Sequence, residues 1–370
     1  SRRGWRMRAL AVHVGVDPLE GVVGAVLAHD LRRPESKAVL FRKGHRFSRE
    51  DVSRLAELRG ATLHVLELEP GDLHEEEAGR RLARAVAGQG VAVKGYIGAQ
   101  YHLVAAHRGL LRVDVGLLDR VNTLEGVSVF TLFDGQPVDE GQLVAGVKVT
   151  PLAIAEAIVR QAEEACREAP PLRVVAFRAR VVGVLVLEQV DPSTRQRFQT
   201  ALEQKLGWLG ARLGPILEVE RSPRAFAAAF RRLRDHGVDV VLAAGASSLD
   251  PLEPLFLSLQ EVGARVEKHG APVHPGSLFW VAYLPAPSQE VPVFGLSSCE
   301  MFSHKTVLDL VLPRVLAGET VRRADLVALG HGGLLTPEMA FRFPPYGERG
   351  ARGAAPPRGD EEREGAASSG

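Results

Sequence analysis

The sequence predicts an α/β protein whose C-terminal part is a three-layer α/β/α domain with a mostly parallel sheet, preceded by a mixed α+β N-terminal region. In the C-terminal half, buried apolar runs alternate with amphipathic segments, which is the pattern of a parallel sheet covered by helices. In the N-terminal half, short alternating segments are separated by turns rich in glycine and proline.

The length of 370 residues is enough for two domains and a tail. We expect residues 1–6 to be an upstream remnant before Met7 and residues 7–170 to form the N-terminal region, which can divide into two units near residue 70. Residues 171–335 are expected to form the α/β/α domain. Residues 336–370 are rich in Pro, Gly, Arg, Glu and Ser, and they are expected to be a disordered tail because so little apolar surface cannot offset the entropy of ordering.

Composition narrows the class of protein. The net charge of +1 gives no electrostatic footprint for nucleic acid. Cys166 and Cys299 are far apart in sequence, which argues against a disulfide framework and fits a reducing compartment. The sequence contains no run of eighteen apolar residues, so no membrane-spanning helix is expected. We therefore expect a cytoplasmic protein.

The N-terminal elements follow from local patterns. Strands are expected at 8–14 and 62–68, and helices at 101–107 and 152–167. Ser48 is expected to cap a helix, with Asp51 three residues later. For residues 72–77, a metal site and a capping box between Asp72 and Glu75 are both open, although successive positions on a helix point in different directions.

Strands are expected in the C-terminal half at 179–187, 216–219, 238–244 and 278–284, with helices at 194–209 and 225–236. A further apolar segment starts at Val291 and is expected to reach a strand–helix junction at Cys299. The strand ending at Ala244 runs into a loop of small residues that contains one acid, Asp250. Small residues let the backbone approach a phosphate, and a following helix supplies free N–H groups. Asp250 either faces this crevice or caps its own helix.

The order of these loops resembles the molybdopterin-binding domain of the molybdenum-cofactor biosynthesis family, which includes molybdopterin molybdotransferase and gephyrin. Three family motifs are matched in part: Gly-Gly with Ser-x-Gly-Asp, Arg-Pro-Gly-Lys-Pro, and Gly-Leu-Pro-Gly-Asn-Pro. The matching residues are Gly245, Ser247 and Asp250 for the first, Pro275 and Gly276 for the second, and Gly295 and Leu296 for the third.

The sequence also departs from the family motifs. Leu252 stands where molybdotransferases have a second acid, and Ser277 stands where a phosphate-neutralising Lys is expected. Residues 297–300 replace Pro-Gly-Asn-Pro.

The resemblance implies a molybdopterin ligand, with molybdate insertion as the reaction and Asp250 as its catalytic residue or as a ligand of Mg. The alternative is a non-catalytic carrier, chaperone or sensor that serves a client molybdoenzyme. A third alternative is a relative of the same fold that acts on a nucleotide or a pyridine-type substrate. A homodimer is expected. The cofactor-binding residues implied are Gly245, Ser247, Ser248, Asp250, His274, Pro275, Gly276, Ser277, Gly295, Ser297 and Ser298.

Overall fold

The computed structural model describes residues 8–33, 36–188, 191–246, 250, 252–297 and 305–346. The described chain is a mixed α/β protein in which six separate sheets occur. Within this part of the chain, no helix combines the length and the hydropathy that a membrane span requires.

The first unit is a small antiparallel sheet closed by a short helix. Its elements are β1 Arg8–His13, β2 Val26–Leu27, β3 Leu31–Arg32, β4 Val39–Phe41, α1 Asp51–Ala56 and β5 Thr62–Glu67. The sheet has the order β1-β5-β2, which confirms the strands expected at 8–14 and 62–68. Ser48 does not cap α1 as expected. Its amide and hydroxyl instead donate to the Asp51 carboxylate at 2.8 and 2.9 Å, and Glu50 is the N-cap.

The second unit is built from three sheets and three helices. Its sheets have the orders β10-β12-β8-β7 and β11-β9-β14, and β13 pairs with β6. The elements are β6 Asp72–His74, α2 Glu75–Val86, β7 Val91–Ile97, β8 Gln100–Ala105, β9 Gly109–Val113, α3 Val115–Asn122, β10 Val127–Thr131, β11 Pro137–Val138, β12 Leu143–Val149, β13 Ala153–Ala155, α4 Glu156–Cys166 and β14 Leu172–Ala176.

Two local expectations in this unit are wrong. The helix predicted at 101–107 is strand β8, because Tyr101, Leu103 and Ala105 alternate into the core while β7 and β12 pair with it on either side. The capping box between Asp72 and Glu75 is absent because residues 72–74 pair with β13. The His74 ring caps α2 instead, by accepting from the Glu76 amide at 3.2 Å.

The third unit contains a six-stranded sheet with the order β16-β15-β17-β20-β19-β18. Strands β16, β15, β17 and β20 run parallel, and β19 is antiparallel to both of its neighbours. The elements are β15 Val181–Val186, α5 Pro192–Trp208, β16 Arg212–Glu218, α6 Pro223–Asp235, β17 Val240–Ala244, α7 Pro254–Glu261, β18 Arg265–His269, β19 Trp280–Leu284, β20 Val291–Leu296, α8 Val307–Leu316 and α9 Arg323–Ala328.

Both faces of this sheet are buried against helices. Val184 of β15 belongs to a hydrophobic cluster that includes Phe198 of α5 and Leu312 of α8. The next residue, Leu185, belongs to a second cluster that includes Phe230 of α6. Successive side chains of a strand point to opposite faces, so α5 and α6 cover opposite sides of the sheet.

Two structural features lie near the expected limits of this unit. Strand β14 lies after residue 170 but pairs with β9, so sheet membership changes between Ala176 and Val181. Residues 336–346, at the start of the expected tail, are packed: Pro337–Arg342 forms a 3₁₀ helix and Phe343 is buried, because apolar side chains recur there. Residues 347–370 lie outside the described chain.

Candidate functional site

The order of the parallel strands defines a crevice at one edge of the large sheet. The chain leaves β15 through α5 to reach β16 on one side, then returns through α6 to β17 on the other side. Because the crossovers leave in opposite directions, the carboxyl ends of β15 and β17 form a topological switch point, where open α/β sheets bind ligands. The register aligns Val186 with Ala244, and Ala244 with Leu296.

A cavity of about 190 Å³ opens at this switch point. Its walls come from the loops that follow β15, β16 and β17, together with the first turns of α6 and α7. The lining residues are Leu187, Glu188, Arg221, Phe226, Gly245, Ala246, Glu253 and Leu255. Of the site residues predicted from sequence that the structure describes, Gly245 alone is in this lining.

Gly245 is required by the shape of the cavity. Its φ is +91°, a backbone conformation that residues other than glycine rarely adopt. A Cβ at this position would lie 2.9 Å from Cγ and 3.1 Å from Cδ of Glu188, whose side chain therefore passes directly over the glycine. The amides of Gly245 and Ala246 both donate to the Leu296 carbonyl, at 2.9 and 2.7 Å. These two N–H groups are thus engaged by the protein and are not presented to a phosphate.

Among the described residues, three charged side chains line the cavity, and the sequence analysis assigned none of them to the site. Glu253 is only 14% exposed and forms an ion pair with Arg221, which is 54% exposed. Together with Glu188, these groups give the described wall a formal charge of −1. Arg221 and Glu253 follow different strands, so their contact is not visible as a motif. Their common position after the carboxyl end of a parallel strand is the feature that identifies them.

Asp250 lies in the loop after β17 and is exposed. Its Oδ1 accepts a hydrogen bond from the Leu252 amide at 2.9 Å, so the carboxylate stabilises its own turn. Helix α7 begins only at Pro254, with Glu253 as N-cap. Asp250 is therefore not the N-cap of that helix. Ser247, Ser248 and Ser298, like Cys299, lie outside the described residues.

The loop between β18 and β19 reaches the same edge of the sheet. Trp280, the first residue of β19, pairs with Gly295 near the end of β20, so residues 274–277 lie just beyond that end. His274 and Ser277 are exposed and Gly276 is buried. The His274 amide donates to Gly333 and its carbonyl accepts from Leu335, both at 2.8 Å, so the backbone of this loop is held by the C-terminal segment.

Gly295 lies inside strand β20, where its lack of a side chain makes room for an indole ring. A Cβ on Gly295 would lie 1.9 Å from Cε2 of Trp280, which is fully buried. The geometry therefore accounts for Gly295 by packing. Ser297, two residues later, is half-buried at the carboxyl edge.

A larger cavity of about 630 Å³ lies at the opposite, amino edge of the sheet. Arg180 and Asp239 in its wall form an ion pair at 2.5 Å, and Tyr283 donates to the Val321 carbonyl at 2.7 Å. Burial raises the pKa of Tyr283 to about 12, so this phenol is neutral at pH 7. We place the candidate site at the carboxyl edge despite its smaller cavity, because ligands of parallel sheets collect there.

Metal binding finds no support in the described residues, where no group of three or more His, Cys, Asp or Glu side chains converges. This includes the 72–77 segment. There the His74 ring contacts the Gly44 carbonyl at 2.8 Å, and Asp72 accepts from the Glu69 amide at 3.1 Å.

Comparisons with known proteins identify partial similarities. A family model described as a domain of unknown function, DUF8806, matches residues 18–67. A search of curated proteins finds none that matches the chain.

Several solved structures are similar to part of the chain. One is a putative molybdenum cofactor biosynthesis protein from Corynebacterium diphtheriae, with 11% identity and a TM-score of 0.27, covering 39% of this chain and all of that one. The tungsten cofactor synthesizing protein MoaB from Pyrococcus furiosus has 15% identity and a TM-score of 0.26, with 33% and 86% coverage. The molybdopterin biosynthesis enzyme MoaB from Thermus thermophilus has 14% identity and a TM-score of 0.27, with 38% and 98% coverage. Similarity this low does not establish a shared activity.

Proposed function

We propose that this protein binds molybdopterin at the carboxyl edge of its large sheet. The observation that carries the proposal is the cavity at the switch point between β15 and β17, with Gly245 in its wall. The three loops that resemble motifs of the molybdopterin-binding family follow or precede adjacent strands at this one edge. The helices on both faces support the three-layer α/β/α organisation that the resemblance implies.

The proposed site extends from the cavity along the edge toward β19. Gly245 and Glu188 shape one end, and the loop of His274, Pro275, Gly276 and Ser277 with Ser297 forms the other. The main contribution of such a site to a transfer reaction would be to orient molybdopterin. Correct orientation of a reactant can supply much of the barrier reduction. Ser247, Ser248, Asp250 and Ser298 remain in the proposal as residues of the same loops.

Two roles are compatible with such a site. In the first, the protein inserts molybdate into the pterin dithiolene, as molybdotransferases do, with Asp250 taking part directly or through Mg. In the second, it carries or senses molybdopterin for a client enzyme. One observation favours the second role: the described cavity wall has two carboxylates and one guanidinium, and Ser277 supplies no cation. Molybdate is an anion, and carboxylates beside it would be repulsive.

The N-terminal region is proposed to complete the cleft from a second copy in a homodimer. Within one chain, this region also contacts the large-sheet domain and the C-terminal segment, where the rings of Phe133 and Phe341 lie 6.3 Å apart. Arg112 of β9 forms an ion pair with Glu319, which follows α8, and the Arg108 guanidinium lies 4.7 Å from the ring of Trp208 at the end of α5. We propose a domain boundary between Ala176 and Val181, where sheet membership changes.

The proposal is tested by titrating the full chain with molybdopterin released from a denatured molybdoenzyme, using calorimetry. Saturable binding supports the proposal, and no binding by folded protein contradicts it. Asp250→Ala is expected to weaken binding by about tenfold if the carboxylate contacts the ligand, as for the loss of a charged hydrogen bond. Asp235→Ala, a change of an exposed carboxylate near the opposite edge, is the control. Molybdate-dependent formation of active cofactor would assign the enzymatic role, and its absence despite binding would assign the carrier role.

A further inference from the structure

The described wall of the carboxyl-edge cavity is poorly suited to a phosphate group. Its two carboxylates, Glu188 and Glu253, outnumber its one guanidinium, Arg221. The amides of Gly245 and Ala246 already donate to the Leu296 carbonyl. An oxyanion here would face net repulsion and would have to compete with Glu253 for Arg221.

The same wall is well suited to a flat ring that carries N–H groups. Leu187, Phe226 and Leu255 give the cavity apolar surfaces, and the lack of a side chain at Gly245 lets the Glu188 side chain lie close to the backbone. A carboxylate accepts two parallel N–H bonds, so it pairs with a ring whose amino group and ring N–H lie side by side. The volume of about 190 Å³ is below the roughly 300–1,000 Å³ of sites that bury a whole drug-sized ligand, so one ring system would enter rather than a complete molybdopterin.

We propose that this cavity recognises the 2-amino-4-oxopyrimidine edge of the ligand. The carboxylates of Glu188 and Glu253 accept the amino and ring N–H groups, and Arg221, oriented by its ion pair with Glu253, donates to the ring carbonyl. The inference rests on the proposed function, and it assigns the pterin end of molybdopterin to this cavity and the phosphate end to the edge beyond it. Guanine carries the same hydrogen-bonding edge as a pterin, so the two sources must be separated by experiment.

The first test compares three probes with the full chain by fluorescence or calorimetry. Pterin carries the 2-amino group, lumazine has a carbonyl in its place, and guanosine 5′-monophosphate presents the edge on a purine. We expect pterin to bind at least about tenfold more tightly than lumazine, because lumazine lacks the amino group that donates to a charged acceptor. Equal affinity for pterin and lumazine, or binding of neither, overturns the proposal. Tighter binding of the guanine nucleotide than of pterin would retain the recognised edge and assign the site to a nucleotide.

The second test assigns the effect to the cavity. Glu188→Gln and Glu253→Gln keep the size of each side chain but remove its charge and half of its acceptors, so each is expected to weaken pterin binding by about tenfold without changing the lumazine affinity. Glu261→Gln is the matched control. Glu253 is the N-cap of α7 and Glu261 is its last residue, and Glu261 also pairs with an arginine, Arg231, at 2.9 Å. Pterin binding that is unchanged in both cavity variants overturns the inference. If these two variants also bind molybdopterin as wild type does, the proposed function is retained and the pterin binds outside this cavity.

Discussion

Replacing Gly295 by alanine tests the packing of the large sheet most sharply. The new Cβ would lie 1.9 Å from Cε2, 2.0 Å from Nε1 and 2.5 Å from Cδ2 of Trp280. Since carbon atoms pack at about 3.5 Å or more, the indole would have to move by roughly 1.6 Å. Trp280 is fully buried between β20 and the α6–α7 face, so it has no space into which to move. Overpacking of this kind costs about 1–3 kcal/mol, and we expect Gly295→Ala to reach the upper end.

Urea denaturation of wild type and variant measures this cost as a lower midpoint at constant slope. Trp280→Leu removes all three ring atoms that the new Cβ would meet. The double variant should therefore be more stable than the sum of the single changes predicts, by about 1 kcal/mol or more. Gly207→Ala in α5 is the control, because a Cβ there meets nothing within 4 Å and alanine should stabilise the helix by about 0.5–1 kcal/mol. A Gly295→Ala variant as stable as wild type would refute the register of β19 against β20.

Two further predictions concern buried charges. Lys205 Nζ lies 2.7 Å from Oδ1 of the buried Asp309, so Lys205→Met should destabilise the protein by about 3–5 kcal/mol in urea denaturation, and adding Asp309→Asn should recover part of that loss. Burial raises the pKa of Asp51, but hydrogen bonds from Ser48 and contact with His45 outweigh it and hold the pKa below the ordinary 3.8. The ionised Asp51 therefore stabilises the fold above pH 3.8 and this contribution is lost as the pH falls through the folded-state pKa. Asp51→Asn should cost about 1–3 kcal/mol at pH 7 and progressively less in acid, whereas a cost independent of pH would contradict this reasoning.

Several strands and helices of the C-terminal half could be predicted from sequence because they carry strong local patterns. The five buried residues of Val240–Ala244 and the Ser222 cap of α6, whose hydroxyl accepts from the Ala225 amide at 3.2 Å, are examples. The N-terminal region was less predictable. Strand β8 is short, and its apolar positions fit a helix or a strand until its pairing with β7 and β12 decides.

The candidate site was only partly predictable for a different reason. Gly245 could be found because its role depends on its own backbone conformation. Arg221 and Glu253 act as a pair that forms only when the loops after β16 and β17 meet, and no spacing in the sequence records this contact. Gly295 shows the converse. It matched a ligand-binding motif, but the structure explains the glycine by the Trp280 indole, which occupies the space that a side chain would need.

The most direct test of the proposed ligand site is a crystal structure of the full chain with molybdopterin bound. We predict pterin density at the switch point between β15 and β17, against Glu188, Arg221 and Glu253. Density confined to the cavity of about 630 Å³ at the amino edge, beside Arg180 and Asp239, would contradict the assignment of the site.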